Sequence, residues 1–144
     1  MFTIRKKFKF ETAHRLPDSY TKKCQQIHGH SYIGEVYITS GLLDNTGVVV
    51  DFTLIKEKLQ EIIEKFDHKF ILWEKDDLVE FIESAERSMQ KDLGLMLFPY
   101  PPTAELFAKY IYDQFTKQFS DTTYRISSVR IHETETGWAE YKGE

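Results

Sequence analysis

A single cysteine in 144 residues rules out an intrachain disulfide, so the fold must be held by its core alone. The opening MFTIRKKFKFETAH lacks the roughly 7–15-residue apolar segment of a secretory signal, and the reading is a protein of the reducing cytoplasm. No window approaches the roughly 20 consecutive apolar residues of a membrane helix, which excludes a bilayer as partner. An excess of basic charge is also missing. The formal net charge is −4, so nothing attracts nucleic acid, and an anionic substrate would need a local basic pocket. Repeats and low-complexity linkers are absent as well. What is present is apolar and aromatic: 41% hydrophobic residues and 15% aromatic are enough for one packed core, read as a single domain over 1–144.

The apolar periods divide the chain. Phe2, Ile4, Phe8 and Phe10 alternate with Thr3, Arg5, Lys7, Lys9 and Glu11, the pattern of a half-buried strand. A second alternating run covers Ser31 to Leu42 and closes at Gly41 and the turn residues 44–47. Ile55, Leu59, Ile62, Ile63 and Phe66 then recur at helical spacing. Residues 73–98 predict a short helix near Leu78–Ser88, followed by an extended piece ending at Phe98. Pro99 to Pro102 stop regular structure, and Thr103 caps a helix whose Phe107, Ile111, Phe115 and Phe119 are spaced by four. A strand at Ile126–Glu133 and a short one at Trp138–Tyr141 end the chain. The order predicts an α+β fold: a four-stranded antiparallel sheet of two sequential hairpins, with the helices on one face. Its free edges call for closure by other copies into a barrel, hence an oligomer.

Chemistry concentrates in CQQIHGH (24–30). His28 and His30 lie two apart at the entry to the second strand and project from one face. Antiparallel pairing of the first two strands brings His14 beside them. Three imidazoles with an open fourth position suit a catalytic zinc rather than a structural one. The competing reading is a surface HGH turn beside an ordinary strand-end histidine. Cys24 is open among a fourth ligand, an inert thiol and a reactive thiolate favoured by Lys22 and Lys23. Asp67-His68 ends the first helix, either as a relay pair or as a plain charged terminus.

Together FETAHRLP (10–17), CQQIHGHSY (24–32), TGVVVDF (46–52), FDHK (66–69), PTAE (102–105) and Glu133-Thr134 resemble, in this order, the family of 6-pyruvoyl- and 6-carboxy-tetrahydropterin synthases. The resemblance implies a tunnelling fold (T-fold) assembling as a trimer or hexamer, with sites at subunit junctions. It implies one Zn2+ per subunit on His14, His28 and His30, Cys24 as proton acceptor, and Asp67, His68 and Glu133 in relay and substrate-anchoring roles. The implied substrate is 7,8-dihydroneopterin triphosphate. Conversion to 6-carboxy-5,6,7,8-tetrahydropterin for queuosine-type deazapurines is favoured by the compact CQQIHGH loop and the ending YKGE. The pyruvoyl product and a non-catalytic pterin-binding zinc module are the alternatives. Thr103 and Glu105 are candidate pocket residues, and Arg15, Lys22 and Lys23 are candidate triphosphate cations by proximity.

Overall fold

The protein is described by a computed structural model covering residues 1–120 and 122–144. Ten elements follow one another: β1 (Phe2–His14), α1 (Lys22–Gln25), β2 (His28–Ser40), α2 (Phe52–Ile63), β3 (Lys69–Trp73), α3 (Leu78–Met89), β4 (Leu95–Phe98), α4 (Ala104–Lys117), β5 (Tyr124–His132) and β6 (Trp138–Tyr141). The α+β class holds. The sheet, however, has six strands in the order β4-β3-β1-β2-β5-β6, and is mixed. β1, β2, β5 and β6 form the expected antiparallel set, whereas β3 runs parallel to the end of β1 and β4 runs parallel to β3. The four-stranded expectation fails because β3 reads KFILW. A strand covered on both sides shows a continuous apolar run, which periodicity does not separate from a helix end.

Alternation decides which residues meet the helices. Phe10, Tyr32, Val36, Ile38, Val129 and Ile131 enter one core with Ile55, Leu59 and Ile62 of α2 and Phe107, Ile111 and Phe115 of α4. Each such side chain contributes about 1.5–3 kcal/mol on burial. Asp51 and Thr103 cap α2 and α4, accepting hydrogen bonds from the backbone N–H groups of Thr53 (2.6 Å) and Leu106 (3.3 Å). Leu72 has the opposite parity to Ile71, yet it is fully buried outside that core, and the helix packed on β3 and β4 is α3. Helices therefore cover both faces at that end of the sheet, a second correction to the one-faced layer.

Two local features set the site. Opposite Phe8, Gly34 leaves room for the phenyl ring, because a Cβ there would lie 2.0 Å from Phe8 Cζ. A β-bulge interrupts β5, where Tyr37 pairs with Ser128 but Ile38 pairs with Ile126. Ser127 is the extra residue, and its hydroxyl donates to the Tyr37 carbonyl at 3.0 Å. The bulge lets Ile126, Val129 and Ile131 share the core face despite their sequence parity, and it carries Glu133 to the same side.

Candidate active site at the strand ends

Strand register assembles the centre. His14 pairs with His28 and Thr12 with His30, so the end of β1 meets the start of β2 as the sequence predicts. His14, His28 and His30 each offer one ring nitrogen, all lying within 4.8 Å of one another, with ring centroids 4.6–5.2 Å apart. His14 is fully buried, and the other two are half-buried.

Hydrogen bonding assigns the tautomers. His14 Nδ1 donates to the Pro102 carbonyl at 2.7 Å, and His28 Nδ1 donates to the Gln26 carbonyl at 2.6 Å. The Nε2 lone pairs of both rings are thereby turned toward each other, 3.1 Å apart. A shared proton is a poor remedy: burial, followed by repulsion from His28 and His30, outweighs the Pro102 bond and lowers the His14 pKa to about 4. Burial also lowers that of His30, against the attraction of Glu133. Among the described residues His30 Nε2 is buried without a hydrogen-bond partner, its nearest ionic neighbour being Glu133 Oε1 at 3.5 Å. Two opposed lone pairs and one orphaned nitrogen on converging imidazoles are the donor set that suits a divalent cation of the zinc class. The site's residues fit such an ion.

Glu133 joins this centre to a cavity of about 670 Å³, lined also by Pro17, Trp73, Thr103, Glu105 and Trp138. Thr103 therefore serves both as helix cap and as pocket wall. The two tryptophans were missed in the sequence, since each sits where only the tertiary fold reveals a lining position. Tyr32 was likewise read only as a strand residue. It lies under the triad, 1% exposed, with its ring stacked on Phe10 at 4.9 Å. Burial, and then the charge of Glu133, push its phenol pKa up.

Other candidates lie elsewhere. The half-buried Cys24 sits in α1, its carbonyl accepting from Leu16 N–H at 2.8 Å, and its sulfur does not belong to the converging set. Arg15 is not a free cation: its guanidinium holds the buried Asp76 carboxylate through Nε (2.9 Å) and Nη2. Lys22 and Lys23 are exposed on α1, and neither they nor Arg15 line the cavity. Asp67 and His68 are paired, Oδ2 to Nδ1 at 3.0 Å, and Asp67 Oδ1 and His68 N–H clamp the backbone of Glu11 at 2.8 and 2.6 Å. The Glu11 N–H is the main cause of the low Asp67 pKa, with His68 adding to it against burial. His68, 79% exposed, has φ +59°, a strained conformation for a residue other than glycine. It borders a shallow cavity with Glu11, Ala13, Gly29, Ser31 and also His30 of the triad. The dyad thus sits at the edge of β1, outside the converging set of imidazoles.

An α+β sheet with three histidines at its strand ends that could hold a metal ion, a carboxylate beside them and a cavity beyond is an arrangement suited to a metal-assisted enzyme. The 6-pyruvoyl tetrahydropterin synthase family model matches residues 3–144, and the chain belongs to that family. It is 33% identical to the 6-carboxy-5,6,7,8-tetrahydropterin synthase of Aquifex aeolicus over 98% of both chains. It is 34% identical to the one from Haemophilus influenzae over 99% of both. Among solved structures, an uncharacterized protein of Wolinella succinogenes superposes with a TM-score of 0.86 at 20% identity, covering 99% of this chain and 98% of that one. The 6-pyruvoyl tetrahydropterin synthase of Caenorhabditis elegans gives 0.71 at 24% identity over 99% of this chain and 96% of that one, so these two establish the shared fold.

Proposed function

We propose that this protein converts 7,8-dihydroneopterin triphosphate and water to 6-carboxy-5,6,7,8-tetrahydropterin, acetaldehyde and triphosphate, as a zinc-dependent step toward deazapurines in the cytoplasm. The observation that carries the reading is the pair of opposed His14 and His28 lone pairs beside Glu133, which opens onto the cavity. The relatives named for this product span nearly the whole chain.

Bound by His14, His28 and His30, zinc would act as a Lewis acid on substrate hydroxyls and acidify neighbouring O–H and C–H groups. Cys24, outside the ligand set, is the base that removes the side-chain proton. Glu133 accepts two hydrogen bonds from the pterin amino and ring N–H groups and fixes the ring. Thr103 and Glu105 complete that pocket. Asp67 orients His68, which moves protons to and from substrate oxygens.

Because the His68 side chain is 79% exposed at the β1 edge and outside the converging imidazoles, the dyad serves the site of a neighbouring copy. The sheet edges suit this assembly. Along β1, β3 pairs with Thr12, Ala13 and His14 and the dyad holds Glu11, which leaves the outer edge of β1 unpaired among the described residues over residues 2–10, and β6 is the opposite edge. These edges run in opposite directions, so copies can join antiparallel around a ring, as a trimer or as two stacked trimers, with one zinc per subunit. The deciding experiment is turnover of 7,8-dihydroneopterin triphosphate by zinc-loaded protein, following acetaldehyde and pterin mass. Acetaldehyde with the carboxylated pterin is expected. Triphosphate loss without acetaldehyde assigns the pyruvoyl product instead, and no turnover leaves a pterin-binding module.

A further inference from the structure

We propose that the Tyr32 hydroxyl is a hydrogen-bond donor at the metal centre, placed to receive an oxygen of the bound ligand. The inference deepens the metal-centre reading above and rests on it. Tyr32 is 1% exposed, and its ring is fixed from several sides: Phe10 stacks at 4.9 Å, Phe107 meets it edge-on at 5.5 Å, and His30 and His14 stand at 5.4 and 6.1 Å. The hydroxyl therefore cannot swing away to find water.

Within the chain it has no good acceptor. Its only hydrogen-bond contacts among the described residues are His14 Nδ1 at 3.5 Å and His14 Nε2 at 3.4 Å, nearly equidistant and long for an O–H donor. Neither nitrogen is free: Nδ1 spends its proton on Pro102, and the Nε2 lone pair points at His28. Phenylalanine would pack among Phe10 and Phe107 equally well, without burying an unsatisfied hydroxyl, which is a cost to folding. The hydroxyl is also adjacent to the atom expected to bind the ion. An oxygen drawn to the same ion would lie within its reach, and Tyr32, as a neutral phenol, has a proton to give.

Acetate on cobalt-loaded protein, followed by the visible cobalt absorption, tests the role without any pterin turnover. Tyr32→Phe is expected to bind acetate about five-fold more weakly while cobalt affinity changes by less than about two-fold, the signature of one lost hydrogen bond. Unchanged acetate affinity overturns the proposal. Lost cobalt uptake in a folded variant also overturns it, since the hydroxyl would then be supporting the ligands. If Tyr32→Phe does not fold, the tyrosine ultraviolet difference spectrum of the wild-type protein on acetate binding decides: a shift supports the donor, and none refutes it. Wild-type protein that takes up no cobalt sinks the metal centre and this role together. Absence of pterin turnover in protein that binds cobalt and acetate sinks only the proposed activity.

Discussion

Replacing Asp76 by alanine should cost this protein about 3–4 kcal/mol, the range for breaking a buried ion pair by removing one partner. The Asp76 side chain is fully buried, and Arg15 is 24% exposed, so deletion strands a largely desolvated guanidinium. The Leu78 N–H, which donates to Asp76 at 2.8 Å in the first turn of α3, loses its acceptor too. For a chain of this size the loss lowers Tm by roughly 6–16 °C. Urea denaturation measures it directly. Arg15→Met should destabilise similarly while leaving KM for the triphosphate substrate within about two-fold, because Arg15 is engaged away from the cavity. The pH dependence has a definite sign. Burial raises the Asp76 pKa, but the Arg15 hydrogen bond, the Leu78 N–H and the Arg15 charge outweigh it and hold it below the ordinary value. A carboxyl depressed in the folded state contributes stability that is fully present above the unfolded pKa of about 3.9 and is lost as pH falls through the folded one. Asp76→Asn should flatten that part of the acid limb. A large rise in KM for Arg15→Met at unchanged stability would refute the reasoning and return Arg15 to the phosphate.

Two further outcomes are expected. Gly34→Ala should cost about 1–2 kcal/mol because the new methyl displaces the Phe8 ring, and in combination with Phe8→Ala the two losses should be clearly less than additive when Cm values are compared. Chelation should lower Tm by roughly 5–11 °C from a state holding free zinc at one hundred times Kd, equivalent to about 2.7 kcal/mol. His28→Ala should remove that difference while leaving the chelated protein's Tm nearly unchanged.

The triad was legible in the sequence because strand pairing is itself legible. Once Phe2–Phe10 and Tyr32–Ile38 are read as neighbouring strands, His14 has to arrive beside His28. Glu133 was reached only through family resemblance, since simple alternation from Ile126 puts it on the wrong face and the Ser127 bulge that corrects this leaves no clear sequence mark. β3 was hidden for a different reason, since a strand this short and covered on both sides has no period to read, and β4, although legible as an extended piece ending at Phe98, was therefore left without a partner. The Arg15 ion pair was not legible, because proximity to His14 in sequence says nothing about where a long side chain finds its counter-ion. Its partner, 61 residues away, lies in the segment that was hardest to read.

The separation of the dyad from the triad has a consequence that mixing can expose. His68 is held in a left-handed conformation at the β1 edge, clamped to Glu11 and largely exposed, while Cys24 sits in α1 and the three histidines converge at the strand ends. If every site takes its thiol from one copy and its imidazole from the next, Cys24→Ala and His68→Ala are each inactive alone, but they damage different halves of a junction. In rings assembled at random from an equal mixture, a junction is intact when the thiol side comes from the His68→Ala chain and the imidazole side from the Cys24→Ala chain, a chance of one half for each. Roughly a quarter of wild-type activity should then return after the two proteins are unfolded and refolded together. If both groups came from the same copy, no mixed ring would contain an intact site, and co-refolding would restore nothing. Activity that stays at zero in well-formed mixed oligomers would therefore place Cys24 and His68 in one subunit's site and overturn the shared junction.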